Sequence, residues 1–202
     1  AAAGADAIKF QTFKAKDLVT TVAPKAEYTQ KTTDQSETQF EMIRKLELDE
    51  DAHDQIVSRC KSKGIEFMST PFDVASLDFL CGHYDPFRLK IPSGEITNPL
   101  LLLAAARSGK PVILSTGMST LGEIEEALNV LACGYTNENI SGPGIARDAY
   151  TSSNKIRALE ENVTLLHCTT EYPAPFRDVN LRAMETIRSA FGLSTGYSDH
   201  TR

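Results

Sequence analysis

One pattern recurs along the chain and limits what it can fold into. A short apolar run ends in small polar residues, and an amphipathic segment comes between it and the next. The runs are "DAIKFQTF", "GIEFMSTPF", "FRLKIPSGE", "PVILSTGMS", "VTLLHCTTEYP" and "GLSTGYSDH". They are rich in Val, Ile, Leu and Phe and bounded by Gly or Pro, which are buried-strand signals. "SETQFEMIRKLEL" predicts a helix opened by a capping box at Ser36 and Gln39. "DEDAHDQIVSRCKSKG" has acids in its first turn and bases before a terminal Gly, as the helix dipole favours. "TLGEIEEALNVLACG" predicts a helix from a Thr120 cap to Gly134, and "NLRAMETIRSAFG" one from an Asn180 cap to Gly192. Strands alternating with helices predict an α/β fold with a parallel sheet, either open and doubly wound or closed as a TIM (β/α)8 barrel.

The ends of the runs discriminate between the two. Lys9 and Gln11 close the first, Ser69 and Thr70 the second, and Lys90, Ser93 and Glu95 the third. Ser115 and Thr116 close the fourth, His167, Thr169 and Thr170 the fifth, and Ser198, Asp199 and His200 the sixth. An open sheet gathers ligands at one switch point and needs polar groups on few strand ends. Here all six carry them, which favours a barrel, where every strand end borders one mouth. The dinucleotide fingerprint is missing. The nearest string, "GPGIAR", lacks the third Gly and does not follow a strand.

Composition excludes other classes. The net charge of −6 is the wrong sign for a general nucleic-acid binder. The longest apolar run, "PLLLLAAA", is far short of a membrane span, and "AAAGADAIKF" lacks a signal-peptide pattern. Cys60, Cys81, Cys133 and Cys168 form no CxxC pair and fit no zinc spacing. They read as reduced core thiols of a cytoplasmic protein. A polar, Gly-containing stretch at 135–160 reads as a surface insertion.

Two lysines, Lys9 and Lys90, with the hydroxyls of Thr70, Ser93, Ser115 and Ser198, suit a phosphate or phosphate-plus-carboxylate ligand. The imidazole of His200 or His167 suits a divalent metal, and Glu95 suits sugar hydroxyls or proton transfer. Plainer readings compete. A lone strand-end Lys is usually a surface charge, Ser and Thr there are often helix caps, and His53 and His83 read as structural. Cys168 reads as a buried thiol rather than a nucleophile, because it faces away from its neighbour His167. Ser198, Asp199 and His200 are no hydrolase triad, whose members meet across a fold rather than along consecutive positions.

In order, "KFQTF", "FMSTPFD", "KIPSGEITN", "ILSTGMS", "LLHCTTEYPAPFRDVNLRAM" and "GYSDHT" resemble the N-acetylneuraminate (sialic acid) synthase family, with its legionaminate-type nonulosonate synthases. The resemblance implies a (β/α)8 barrel that condenses phosphoenolpyruvate with an N-acylated hexosamine, such as N-acetylmannosamine or a 2,4-diacetamido relative. The products are a nonulosonic acid and phosphate. It implies a Mn2+ or Mg2+ cofactor and a homodimer of the full-length protein. Motif by motif, it implies phosphoenolpyruvate contacts at Lys9, Thr70, Lys90, Ser93, Ser115, Thr170 and Ser198. It implies sugar contacts at Gln11, Phe72, Glu95 and Tyr172, a metal ligand at His200, and catalytic roles for Lys9, Lys90 and Glu95. Thr170 stands where some sialic acid synthases have Asn, and His167 falls where it would support the contact segment. By the same resemblance the chain corresponds to strands two to seven of an incomplete barrel without the C-terminal antifreeze-like domain, and is inactive as a fragment. The competing readings are a synthase of the 3-deoxy-sugar-acid type and a non-catalytic ligand-binding barrel.

Overall fold

The computed structural model describes residues 3–25, 27–30, 33–34, 36–138 and 150–201. It divides into two compact units, Ala1–Pro86 and Phe87–Arg202.

In the first unit β1 (Ala7–Thr12) pairs in parallel with β2 (Glu66–Pro71), and Lys9 lies opposite Met68 and Gln11 opposite Thr70. Residues opposite one another in a parallel pair share a face, and the side chains alternate along each strand. Lys9, Gln11 and Thr70 therefore lie on one face, and Thr12 and Ser69 on the other. The helices are α1 (Ala15–Leu18), α2 (Glu27–Gln30), α3 (Gln39–Arg44), α4 (Glu50–Lys63) and α5 (Val74–His83). Helix α4 is bounded by the Asp49 carboxylate, which accepts the Ala52 N–H at 2.8 Å, and by Gly64 at φ 61°. His53 of α4 is fully buried. Its Nδ1 lies 2.7 Å from the Asp49 carbonyl, which can only accept, so Nδ1 carries the proton. In the neutral ring Nε2 then accepts from Thr12 at 2.9 Å, and Ser69 stands 2.8 Å from the same hydroxyl. His53 is thus a structural tie between α4 and the two strands.

Helix α3 corrects the expected cap. The capping box is formed by Thr38 and Glu41, not Ser36 and Gln39. The Asp34 carboxylate accepts both the Ser36 N–H, at 2.9 Å, and its hydroxyl, at 2.7 Å, a local turn that holds the Ser36 side chain back toward Asp34.

In the second unit β3 (Leu89–Ile91), β4 (Val112–Ser115), β5 (Val163–Cys168) and β6 (Ser194–Ser198) pair in parallel in chain order. The helices are α6 (Pro99–Arg107), α7 (Leu121–Tyr135), α8 (Ser153–Asn162) and α9 (Ala183–Phe191). One sheet face carries Leu89, Ile91, Val112, Leu114, Val163 and Leu165, all buried, and forms the core. The register puts Lys90, Ser115, Cys168 and Ser198 on the opposite face. Helix α7 starts at its predicted Thr120 cap, with Glu123 completing a capping box. Helix α9 ends at Gly192 as predicted but starts at Ala183 rather than from an Asn180 cap. Asn180 sits at φ 44° and its carbonyl accepts the Ala183 N–H, a turn that takes it out of the extended geometry of a cap. Within 135–160, α8 packs inward through Leu159 and through buried Lys155, whose ammonium meets the Glu138 carboxylate at 2.8 Å. Residues 139–149 lie outside the described ones. Among the described residues no helix is long and apolar enough to cross a membrane.

Helices α6 and α7 touch backbone to backbone at Gly134, where an added Cβ would stand 2.5 Å from the Ala106 Cβ. Gly134→Ala is expected to cost about 1–3 kcal/mol by overpacking. Gly122→Ala, at the exposed start of the same helix, where an added Cβ would meet only Thr120 Oγ1 at an ordinary 3.9 Å, should be neutral or stabilising by up to about 1 kcal/mol. Urea denaturation of the two variants measures the difference.

Candidate functional site

Lys90 anchors the polar face of the second unit. It is 8% exposed, and its ammonium donates to the Ile91 carbonyl at 2.9 Å and to the Ser115 hydroxyl. The two acceptors fix the position of the Lys90 terminal nitrogen at the strand end. Because Ser115 accepts from it, the Ser115 proton is left to donate to another acceptor.

Ser93 follows β3 in a short 3-10 turn, Ser93–Glu95. Its hydroxyl accepts the Gly117 N–H at 2.8 Å and lies 3.3 Å from the Cys168 sulfur. Gly117 has no room for a side chain. A Cβ there would stand 2.9 Å from Thr170 Cγ2, 3.0 Å from Ser93 Oγ and 3.1 Å from Cys168 Sγ. The ends of β3, β4 and β5 therefore meet at one glycine. Glu95 is half-buried, and the Asn98 amide donates to its Oε2 at 2.8 Å.

At the end of β6, Ser198 Oγ lies 3.1 Å from His200 Nε2. The Tyr172 ring stands edge-on to the imidazole at 4.5 Å, bringing these two predicted contacts together. Asp199 turns elsewhere. The Thr201 N–H, at 2.9 Å, and its hydroxyl, at 2.7 Å, hold the Asp199 carboxyl below the usual range. Among the described residues no three His, Cys, Asp or Glu side chains converge, so they supply one candidate imidazole and not a ligand set. His167 points to the other side of β5 and meets the Val179 carbonyl at 2.6 Å.

In the first unit Lys9 and Gln11 are exposed on the face they share with Thr70. The Lys9 side chain keeps much of its surface in solvent, yet its neighbours desolvate the ammonium enough to hold it below the ordinary lysine range. Thr70 is 1% exposed, and its Oγ1 has no hydrogen-bond partner among the described residues. An orphaned buried hydroxyl costs about 1–3 kcal/mol, and a ligand oxygen would remove that cost. Phe72 packs edge-on to Phe13 at 5.8 Å beside the cluster of Phe13, Ala15 and Ile43.

Sequence reasoning missed Gly117, the Cys168–Ser93 contact and the hold of Asn98 on Glu95. A Gly directly after a strand end was the available signal for the first, since such a residue often marks a close approach.

Parallel strands alternating with helices, with lysine and hydroxyl groups at their carboxyl ends, define an α/β chain of the (β/α)8 kind. Similarity to known proteins agrees. The NeuB family model matches residues 1–202, and the chain belongs to that family. It is 50% identical over 199 residues to the N,N'-diacetyllegionaminic acid synthase of Campylobacter jejuni, covering 98% of this chain and 53% of that protein. It is 45% identical over 198 residues to the enzyme of the same name from Legionella pneumophila, covering 98% and 50%. The crystal structure of an N-acetylneuraminic acid synthetase from Leptospira borgpetersenii, in complex with citrate, superposes with a TM-score of 0.73 at 30% identity, covering 99% of this chain and 56% of that one. The chain thus spans about half the length of the relatives it matches.

Proposed function

We propose that the full-length protein condenses phosphoenolpyruvate with an N-acylated hexosamine and water, giving a nonulosonic acid and phosphate. The observation that carries this reading is the buried Lys90 ammonium on the Ser115 hydroxyl, on one face of a NeuB-family sheet, with the Ser93 hydroxyl in the turn that follows the same strand. Phosphoenolpyruvate presents a phosphate and a carboxylate, which only accept hydrogen bonds, and these residues donate. The family resemblance further assigns Lys9, Thr70, Thr170 and Ser198 to phosphoenolpyruvate, and Gln11, Phe72, Glu95 and Tyr172 to the sugar. The 2,4-diacetamido hexose is the preferred aldose, because the relatives at 50% and 45% identity are named for N,N'-diacetyllegionaminic acid.

Carbon 3 of phosphoenolpyruvate attacks the open-chain aldehyde. The new C–C bond forms at the expense of the enol double bond, and the aldehyde oxygen takes a proton. Water adds at C2, and the tetrahedral intermediate expels phosphate to leave the 2-keto acid. Lys9 and Lys90 offset the negative charge of the phosphate and carboxylate through these steps. Glu95, oriented by Asn98, is the carboxylate suited to move a proton or hold a sugar hydroxyl. The reading assigns His200 to a manganese or magnesium ion, which as a Lewis acid would polarise the aldehyde oxygen. Among the described residues no group of three His, Cys, Asp or Glu side chains gathers there. The same reading takes the full-length protein as a cytoplasmic homodimer.

The test is phosphate release and nonulosonic acid formation by the full-length protein with each aldose. Sugar-dependent phosphate release with the 2,4-diacetamido hexose preferred over N-acetylmannosamine is expected. Binding of phosphoenolpyruvate without turnover on any aldose would favour a non-catalytic barrel, and turnover on unacylated aldoses a 3-deoxy-sugar-acid synthase.

Lys9 adds a pH dependence. Its lowered pKa means that the ammonium loses its proton, and its pull on an anion, at a lower pH than an ordinary lysine. The KM for phosphoenolpyruvate should therefore rise as pH rises through the lowered value. Lys9→Arg, which stays charged, should flatten that rise.

A further inference from the structure

The Ser93 hydroxyl has one proton and two lone pairs. The Gly117 N–H, at 2.8 Å, fills one lone pair. The Cys168 sulfur lies 3.3 Å away on the sheet face of Lys90 and Ser115, and Cys168 is 8% exposed. The glycine contacts leave the thiol no slack, since even a methyl group at 117 would press on Cys168, Ser93 and Thr170 together. We propose that Cys168 is a positioning residue that makes Ser93 an obligate donor. The Cys168 S–H donates into the second lone pair of Ser93. With both lone pairs filled, the Ser93 proton points out of the cluster toward an acceptor. Such a hydroxyl suits a phosphate or carboxylate oxygen and disfavours a ligand group that must itself donate. No covalent role for the thiol is involved.

The inference rests on the proposed function, in which Ser93 contacts phosphoenolpyruvate, and its test separates the two. In the full-length protein, Ser93→Ala, Cys168→Ala, Cys168→Ser and the double Ser93→Ala/Cys168→Ala are compared by steady-state kinetics, with thermal melting to confirm folding. Cys168→Ala should raise the KM for phosphoenolpyruvate about threefold to tenfold, the worth of one hydrogen bond, and leave the sugar KM unchanged. Cys168→Ser restores a donor and should return most of that loss. In the Ser93→Ala background Cys168→Ala should add nothing, because its target is gone. A thiol that merely fills space would give the opposite order, with Ala tolerated and Ser no better. Cys168→Ser as poor as Cys168→Ala, or a Cys168→Ala enzyme with unchanged phosphoenolpyruvate KM beside an impaired Ser93→Ala enzyme, would overturn the positioning role alone. An unimpaired Ser93→Ala enzyme would overturn the site reading and this inference with it.

Discussion

Replacing Lys90 with Met in the full-length protein is expected to raise the KM for phosphoenolpyruvate by roughly thirtyfold to more than a hundredfold, with little change in the sugar KM. That range is the worth of one charge-assisted contact to a bound anion, about 2–3 kcal/mol. Lys90 is a strong candidate for so large an effect because burial and two acceptors fix its ammonium at the strand end. Met keeps the length of the stem and its packing while removing the charge. The loss should therefore fall on the anion and not on the fold. Steady-state kinetics with each substrate varied in turn would read it, and an unchanged dependence on phosphoenolpyruvate would remove Lys90 from the site.

Leu165→Ala should be strongly destabilising, at about 2–5 kcal/mol. Leu165 is fully buried in β5, between Leu114 on one side and Thr195 on the other. The cavity left among paired strands has little freedom to collapse. Its neighbour Leu166 faces the polar side and is only half-buried, so Leu166→Ala should cost about 1 kcal/mol or less. Urea denaturation should show a lower midpoint for Leu165→Ala at an unchanged slope. Equal losses at the two positions would mean that the faces of β5 are assigned wrongly.

The faces themselves are legible in the amino-acid pattern. A period of two places Lys90 opposite in sense to Leu89 and Ile91, and all six apolar runs form strands with their polar residues last. Helix ends are less legible because neighbours compete for the same groups. A local turn holds the Ser36 side chain back toward Asp34, and Asn180 is a left-handed turn residue. Helix α5 carries little amphipathic signal. Helix α6 is a nearly unbroken apolar run, "PLLLLAAA", whose buried residues include Leu101, Leu102, Ala105 and Ala106. The site is legible as a set of strand ends but not as contacts. Nothing local in the sequence ties Ser93 to Cys168, which are 75 residues apart, and only the parallel register brings them together. Gly117, directly after a strand end, signals a close approach in sequence but not its partners, which are the three side chains packed around it.

The most direct test of the site is a crystal structure of the full-length protein with phosphoenolpyruvate bound. Ligand oxygens are expected within hydrogen-bond distance of Lys90 Nζ and of the Ser93 and Ser115 hydroxyls, with the Gly117–Ser93–Cys168 cluster unchanged. Phosphoenolpyruvate held away from that face of β3 and β4, with no ligand oxygen on Lys90 Nζ, would contradict the proposed site.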